Sequence, residues 1–181
     1  MPEAADYVIA TPRLGLRAWR EEDVAPFAAM CADPEVMLYF PATLTRDEAR
    51  AAIGRYEALR ERDGHSFWAV DRLDSGAFVG FVGVVRQRAE YFDWAPAYEI
   101  GWRLARAHWR QGFATEAAQA CLDHAFEELN AESVYAITPE VNAPSIGVMR
   151  KLGMTLEGTF EHPEVAPESG LRRHVLYRTA L

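Results

Sequence analysis

The segment Trp109-Arg-Gln-Gly-Phe-Ala-Thr-Glu-Ala117 joins an alternating apolar run, Tyr98 to Leu104, to a stretch with helical spacing. A strand, a tight basic turn with a glycine and then a helix is a unit suited to holding a phosphate. Gly112 lacks a Cβ and lets the backbone approach a ligand closely. The helix that follows offers about four N–H groups without intrahelical acceptors and a partial positive charge of roughly half a unit. An anion binds at such a terminus without a dedicated side chain. From Ile100 to Thr115 the chain carries Arg103, Arg106, His108 and Arg110 and no acidic residue, in a protein of net charge −8. The same spacing also fits an ordinary α/β connection. The chain has neither a G-x-x-x-x-G-K-S/T loop nor a G-x-G-x-x-G fingerprint, so two common nucleotide-binding designs are excluded.

A second segment adds information. Asn142-Ala-Pro-Ser145-Ile-Gly-Val-Met149-Arg-Lys-Leu-Gly153-Met154 has the chemistry of a short helix: Asn142 as N-cap, Pro144 in the first turn and Gly153 as the C-terminal stop. It follows a strand read over Ser133 to Thr138 and the helix that begins at Gly112.

In these segments the chain resembles the GNAT superfamily of acyl-CoA N-acyltransferases, and within it the RimJ/RimL-like branch of ribosomal-protein N-acetyltransferases. The resemblance runs from Thr11-Pro-Arg-Leu14 to Val175-Leu-Tyr177 and is strongest at Glu99-Ile-Gly-Trp102, Trp109 to Ala117 and Asn142 to Met154. It implies one N-acetyltransferase domain over residues 1–181 and an α/β (α+β) fold in three layers. The sheet would be mixed and mostly antiparallel, of about six to seven strands splayed at its centre and flanked by about four helices. It also implies acetyl-CoA as co-substrate, bound without a metal in the gap between the strands Tyr98 to Leu104 and Ser133 to Thr138. The pantetheine arm would pair with the backbone of Trp102, Arg103 and Leu104. The pyrophosphate would rest on the N–H groups of Gln111, Gly112, Phe113, Ala114 and Thr115, with Arg110 as charge partner and Asn142 and Ser145 alongside. Two departures from the wider superfamily stand out. Trp109 occupies a turn position that holds Gln or Arg in many members, a substitution common in the RimJ/RimL-like branch. Met149 stands where many members have a proton-donating tyrosine, so Ser145 becomes the candidate acid; a first-turn serine capping the helix is the alternative.

The acceptor amine must lose a proton before it attacks, and Glu99 is the candidate base, with Glu161 and His162 as alternatives. An ion-paired or solvated Glu99 is the structural reading set against it. Glu90-Tyr-Phe-Asp-Trp94 and His65-Ser-Phe-Trp68 combine rings and carboxylates in a way that suits a cationic amine, or simply close the core. His162 to Gly170 is a flap over the cleft or a plain surface loop. The function that follows is acetyl transfer to a primary amine, a protein N-terminus or a small molecule, in a ternary complex. A non-catalytic CoA-binding sensor or scaffold of the same fold is the second reading.

The 181-residue chain is 50% apolar and 25% charged, as globular domains are. Its acidity argues against nucleic acid as partner. Its longest apolar run, Ala77 to Val85, is nine residues, against the roughly 20 that cross a bilayer. Met1 to Asp6 lacks a signal pattern. Cys31 and Cys121 read as buried apolar residues of a reducing, cytoplasmic compartment. A homodimer is left open.

Overall fold

The computed structural model describes residues 7–181. Met1 to Asp6, where the signal pattern was sought, lies outside them. Eight strands form one sheet in the order β1-β2-β3-β4-β5-β6-β8-β7. Every neighbouring pair is antiparallel except β5 and β6.

The chain enters through β1 (Ile9–Ala10) and β2 (Leu14–Arg17), a hairpin closed by Thr11, whose Oγ1 accepts from the Leu14 N–H at 3.0 Å. β1 is the strand beyond the seven legible in the sequence: two residues cannot display an alternating pattern. A 3-10 turn at Glu21–Asp23 leads into α1 (Val24–Ala32). α2 (Arg46–Asp63) starts at a capping box, Thr45-Arg-Asp-Glu48, whose T-x-x-E spacing is visible in the sequence. The Glu48 N–H donates to Thr45 Oγ1 at 3.2 Å and the Thr45 N–H to Glu48 Oε2 at 2.7 Å. β3 (Phe67–Arg72) and β4 (Phe78–Gln87) follow, joined by the turn at Asp74-Ser-Gly76. Then come β5 (Ala97–Leu104), α3 (Phe113–Glu127), β6 (Ser133–Pro139), α4 (Ala143–Lys151), β7 (Thr155–Glu161) and β8 (Arg173–Ala180).

The sheet separates two apolar cores. On one face Ile100 and Leu104 of β5 pack with Phe113, Ala117, Cys121 and Leu122 of α3. On the other, Phe27 and Cys31 of α1 and Ala52 and Ile53 of α2 pack with Trp19, Ala69 and Phe81. Alternation along β5 therefore sends even-numbered side chains toward α3 and odd-numbered ones toward α1 and α2. A buried guanidinium, Arg17, ties β2 to β3 and to the start of α1. It donates to Asp23 at 2.7 and 2.9 Å and to Asp71 at 2.6 and 2.9 Å, so its charge is fully matched.

The decisive irregularity is at the centre. β5 pairs with β6 only at Tyr98–Val134 and Glu99–Tyr135. Yet β5 continues against β4 as far as Leu104–Gly80, and β6 continues against β8 as far as Pro139–His174. Beyond Glu99 the two parallel strands diverge, leaving a wedge between Ile100–Leu104 and residues 136–139.

Candidate active site

The wedge opens into a cleft of about 820 Å³, within the range of small-molecule and cofactor sites. Glu99, Trp102, Arg103, Leu104, Arg110, Gly112, Phe113, Ala114, Thr115, Asn142 and Ser145 all line it. Gln111 is the exception among the residues singled out from the sequence. Its side chain folds back to donate to the Ala107 carbonyl at 3.0 Å.

One wall is the phosphate-type turn. Gly112 is the N-cap of α3 at φ 79°, ψ 5°, a left-handed conformation that favours glycine. Arg110 also has positive φ, at 59°. The first intrahelical bond of α3 runs from the Glu116 N–H to the Gly112 carbonyl at 3.0 Å, so the N–H groups of Phe113, Ala114 and Thr115 have no intrahelical acceptor. Arg110 is exposed and pairs with no carboxylate among the described residues.

The turn is braced by residues the sequence reading did not single out. Arg13 donates from Nη1 to the Gln111 carbonyl at 2.9 Å and from Nε to Glu116 Oε2 at 2.6 Å. Thr11 Oγ1 and the Arg13 N–H both donate to Glu116 Oε1, at 2.6 and 3.0 Å. Burial opposes ionisation of Glu116, but these hydrogen bonds and the Arg13 charge hold its carboxyl below the usual range. Trp109 fixes the other end: its Nε1 donates to the Leu104 carbonyl at 2.8 Å. That carbonyl is therefore not one of the open backbone groups on the β5 edge, which corrects the expectation drawn from the strand alone. Trp102 and Arg103 have strand partners on the β4 side only.

The opposite wall is the start of α4. Asn142 Oδ1 accepts from the Ser145 N–H at 3.3 Å, and Asn142 Nδ2 donates to Thr138 Oγ1 at 2.9 Å. The cap is thus supplied by Asn142, and the Ser145 hydroxyl makes no capping bond. Met149 is 2% exposed and packed in the core, although it touches the cleft from below.

Glu99 sits where the strands part. Its Oε2 accepts from Gln87 Nε2 at 2.8 Å, and it pairs with no cation. Desolvation raises its pKa above the ordinary carboxylate value, with the Gln87 hydrogen bond as a lesser, opposing effect. Of the alternatives, Glu161 does not line the cleft and pairs with Arg172 at 3.3 Å. His162 does line it, 4.8 Å ring to ring from His174. Desolvation lowers the pKa of both imidazoles, which keeps them neutral near pH 7. His162 Nδ1 accepts from the Glu164 N–H at 3.2 Å.

The aromatic segments divide. Phe67 lines the cleft, as do Phe40, Tyr56 and Phe81. His65 is buried on the Val84 carbonyl at 2.7 Å and Trp68 lies in the core. Trp94 stacks between Phe92 and Tyr135, at 4.7 and 5.0 Å, outside the cleft. His162, Glu164, Val165 and Leu171 from the β7–β8 connection border the cleft.

A mixed sheet whose central parallel pair diverges beside a basic turn and a helix N-terminus defines an acyl-CoA transferase type of fold. Residues 13–155 match the acetyltransferase (GNAT) domain family, and the chain belongs to it. It is 33% identical over 153 residues to the uncharacterized protein YkkB of Bacillus subtilis, covering 84% of this chain and 87% of that one. The crystal structure of a GNAT-family acetyltransferase from Bacillus anthracis superposes with a TM-score of 0.78 at 27% identity, covering 95% of this chain and 97% of the other. An acetyltransferase of Salmonella typhimurium that modifies the N-terminal serine of a ribosomal subunit protein shares the fold, with a TM-score of 0.77 at 18% identity over 94% of this chain and 96% of its own. Among the described residues no helix is long and apolar enough to cross a membrane, and no group of three or more His, Cys, Asp or Glu side chains is placed to hold a metal ion.

Proposed function

We propose that this chain is one N-acetyltransferase domain that transfers an acetyl group from acetyl-CoA to a primary amine in a ternary complex. The acceptor would be a protein N-terminus or a small-molecule amine. The observation that carries the reading is the divergence of β5 and β6 directly beside the Gly112 turn. Buried backbone groups need partners, and an amide-built pantetheine arm would supply them at Trp102 and at the Leu104 N–H, as an added strand would; the Arg103 backbone faces β4 instead. The N–H groups from Gln111 to Thr115 would offer the pyrophosphate a positive terminus, and Arg110 would add its charge.

When bound, acetyl-CoA supplies a thioester whose carbonyl carbon takes the new N–C bond as the C–S bond breaks. The backbone N–H of Leu104, turned away from β4, is suited to stabilise the developing oxyanion. Glu99 takes the proton of the amine: its raised pKa brings it closer to the amine's and makes it a stronger base than an exposed carboxylate. Ser145, with its hydroxyl unused by the helix cap, would donate a hydrogen bond to the departing thiolate or orient a water that protonates it; the thiolate is already a fair leaving group at a pKa of about 8.5.

Thermal unfolding with and without acetyl-CoA tests binding. A ligand at 100 times its Kd adds about 2.7 kcal/mol, or roughly 5–10 °C in a domain of this size. No shift at millimolar acetyl-CoA contradicts the proposal.

A further inference from the structure

The acceptor side of the same cleft carries a charge that the acetyl-transfer reading leaves unused. β5 sends Glu99, Gly101 and Arg103 to the face covered by α1 and α2. Phe67 packs directly over Gly101, where a Cβ would come within 2.9 Å of the ring. Arg103 lies beyond it, with its guanidinium carbon 4.0 Å from the Phe40 ring centre and 5.3 Å from that of Phe81. Its Nη1 donates to Cys31 Sγ at 3.3 Å, and its Nε is shielded from water with no acceptor. No carboxylate among the described residues pairs with it.

Cys31 is not a substitute anion, since burial in the α1 core keeps it a neutral thiol despite the nearby guanidinium. The contrast with Arg17 is direct. There the fold surrounds a buried guanidinium with two carboxylates and four short hydrogen bonds. A partly buried cation without an anion is costly, and contact with an aromatic ring offsets only part of that cost. Arg103 also faces a cleft open to ligands. The floor between it and Glu99 is apolar, made of Phe67, Tyr56 and Phe81. Four residue steps of strand separate the two Cα atoms, about 13 Å at roughly 3.3 Å per step, and both side chains are on the same face. The cleft thus carries a carboxyl toward its Glu99 end and an unmatched cation at its Arg103 end.

Building on the acetyl-transfer reading, we infer that the acceptor is a carboxylate-bearing amine whose carboxylate is received by Arg103. A free amino acid and a peptide with an acidic N-terminal residue share this chemistry.

The test compares kcat/KM for matched acceptors that differ by the carboxylate. Phenylalanine against phenethylamine is one arm; a dipeptide amide beginning with Asp against one beginning with Ala is the other. At least one arm shows a preference for the carboxylate of roughly 10–100-fold, the factor a charge-assisted hydrogen-bonded pair supplies. The arm that shows it identifies the source. In Arg103→Met, which keeps an unbranched stem over Phe40, the ratio falls to near unity, and Arg103→Lys recovers part of it. Because the ratio is internal to each variant, a general loss of stability does not move it. No preference in the wild type, or one unchanged in Arg103→Met, overturns the inference. In that case turnover of carboxylate-free amines would leave the acetyl-transfer reading standing, whereas absence of an acetyl-CoA thermal shift would remove its foundation. If turnover is too slow to measure, calorimetric titration of the two matched product pairs into the CoA-loaded protein replaces it: N-acetylphenylalanine against N-phenethylacetamide, and the N-acetylated Asp dipeptide amide against its Ala counterpart. Equal affinities there also overturn the inference.

Discussion

Replacing Glu99 by Gln keeps the shape of the side chain and its hydrogen bond with Gln87, and removes only the charge. Two effects of opposite sign follow. A carboxyl with a raised folded-state pKa binds its proton more tightly when folded. Folding stability therefore falls as pH rises from the unfolded value, about 4.3 for Glu, through the folded one. Glu99→Gln escapes this loss. Above the folded pKa the variant is the more stable protein, by about 1.4 kcal/mol for each tenfold rise in proton affinity that burial imposes, or about 2–4 °C per kcal/mol at this chain length. As pH falls toward and below the unfolded value the carboxyl becomes protonated in both states, and the two melting temperatures converge. Turnover moves the other way. Loss of a general base lowers kcat by roughly 10²–10⁴. The defect narrows at low pH, because wild-type Glu99 is itself protonated there, and widens as pH rises through the Glu99 pKa. The assays are thermal unfolding from pH 4.5 to 8.5 and a pH–rate profile of thiol release. A variant that melts below wild type at pH 8 would refute the buried-charge argument. One that keeps the wild-type ascending limb would refute the role as base and move it to His162.

Three further substitutions probe the rest of the cleft. Gly112→Val places a β-branched residue at φ 79°, costing about 1–2 kcal/mol of stability, and should abolish the acetyl-CoA thermal shift; retained wild-type affinity would show that the turn does not meet the cofactor. Arg110→Ala should weaken CoA roughly fivefold at low salt, since an exposed ion pair is worth up to about 1 kcal/mol, with the difference fading as salt screens it. A calorimetric loss independent of salt would rule out a phosphate contact. Ser145→Ala leaves the Asn142 cap intact, so its unfolding midpoint should stay near wild type while turnover falls by roughly 10²–10⁴. Turnover within about twofold of wild type, well short of that span, would end the proton-donor role.

The sequence was most legible where chemistry is local. The Thr45–Glu48 capping box, the Asp74-Ser-Gly76 turn, the Gly112 turn and the Asn142 cap each depend on residues within a few positions of one another, and each appears where the spacing put it. What was not legible depends on tertiary contact. Thr11 and Arg13 brace the phosphate-type turn through Glu116 across about a hundred residues, and no short-range pattern announces such a bond. The ring-rich segment from Glu90 to Trp94 has a composition that suits an amine site, but Trp94 found Tyr135 from β6 instead. Met149 looked like a position open to a catalytic tyrosine, and packing against α3 and β6 makes it core. Even the direction of the Glu99 pKa depends on how deeply its neighbours bury it, which strand alternation does not reveal.

The central claim is that the divergent strands hold acetyl-CoA for transfer to an amine. It is tested most directly by incubating the protein with acetyl-CoA and a panel of amines and amino acids, measuring free thiol and identifying products by mass spectrometry. Thiol should be released in step with an N-acetylated acceptor, with both signals lost together in Glu99→Gln. Acetyl-CoA that binds and stabilises the protein, yet yields neither thiol nor acetylated amine with any acceptor, would contradict it and leave a CoA-binding module without catalysis.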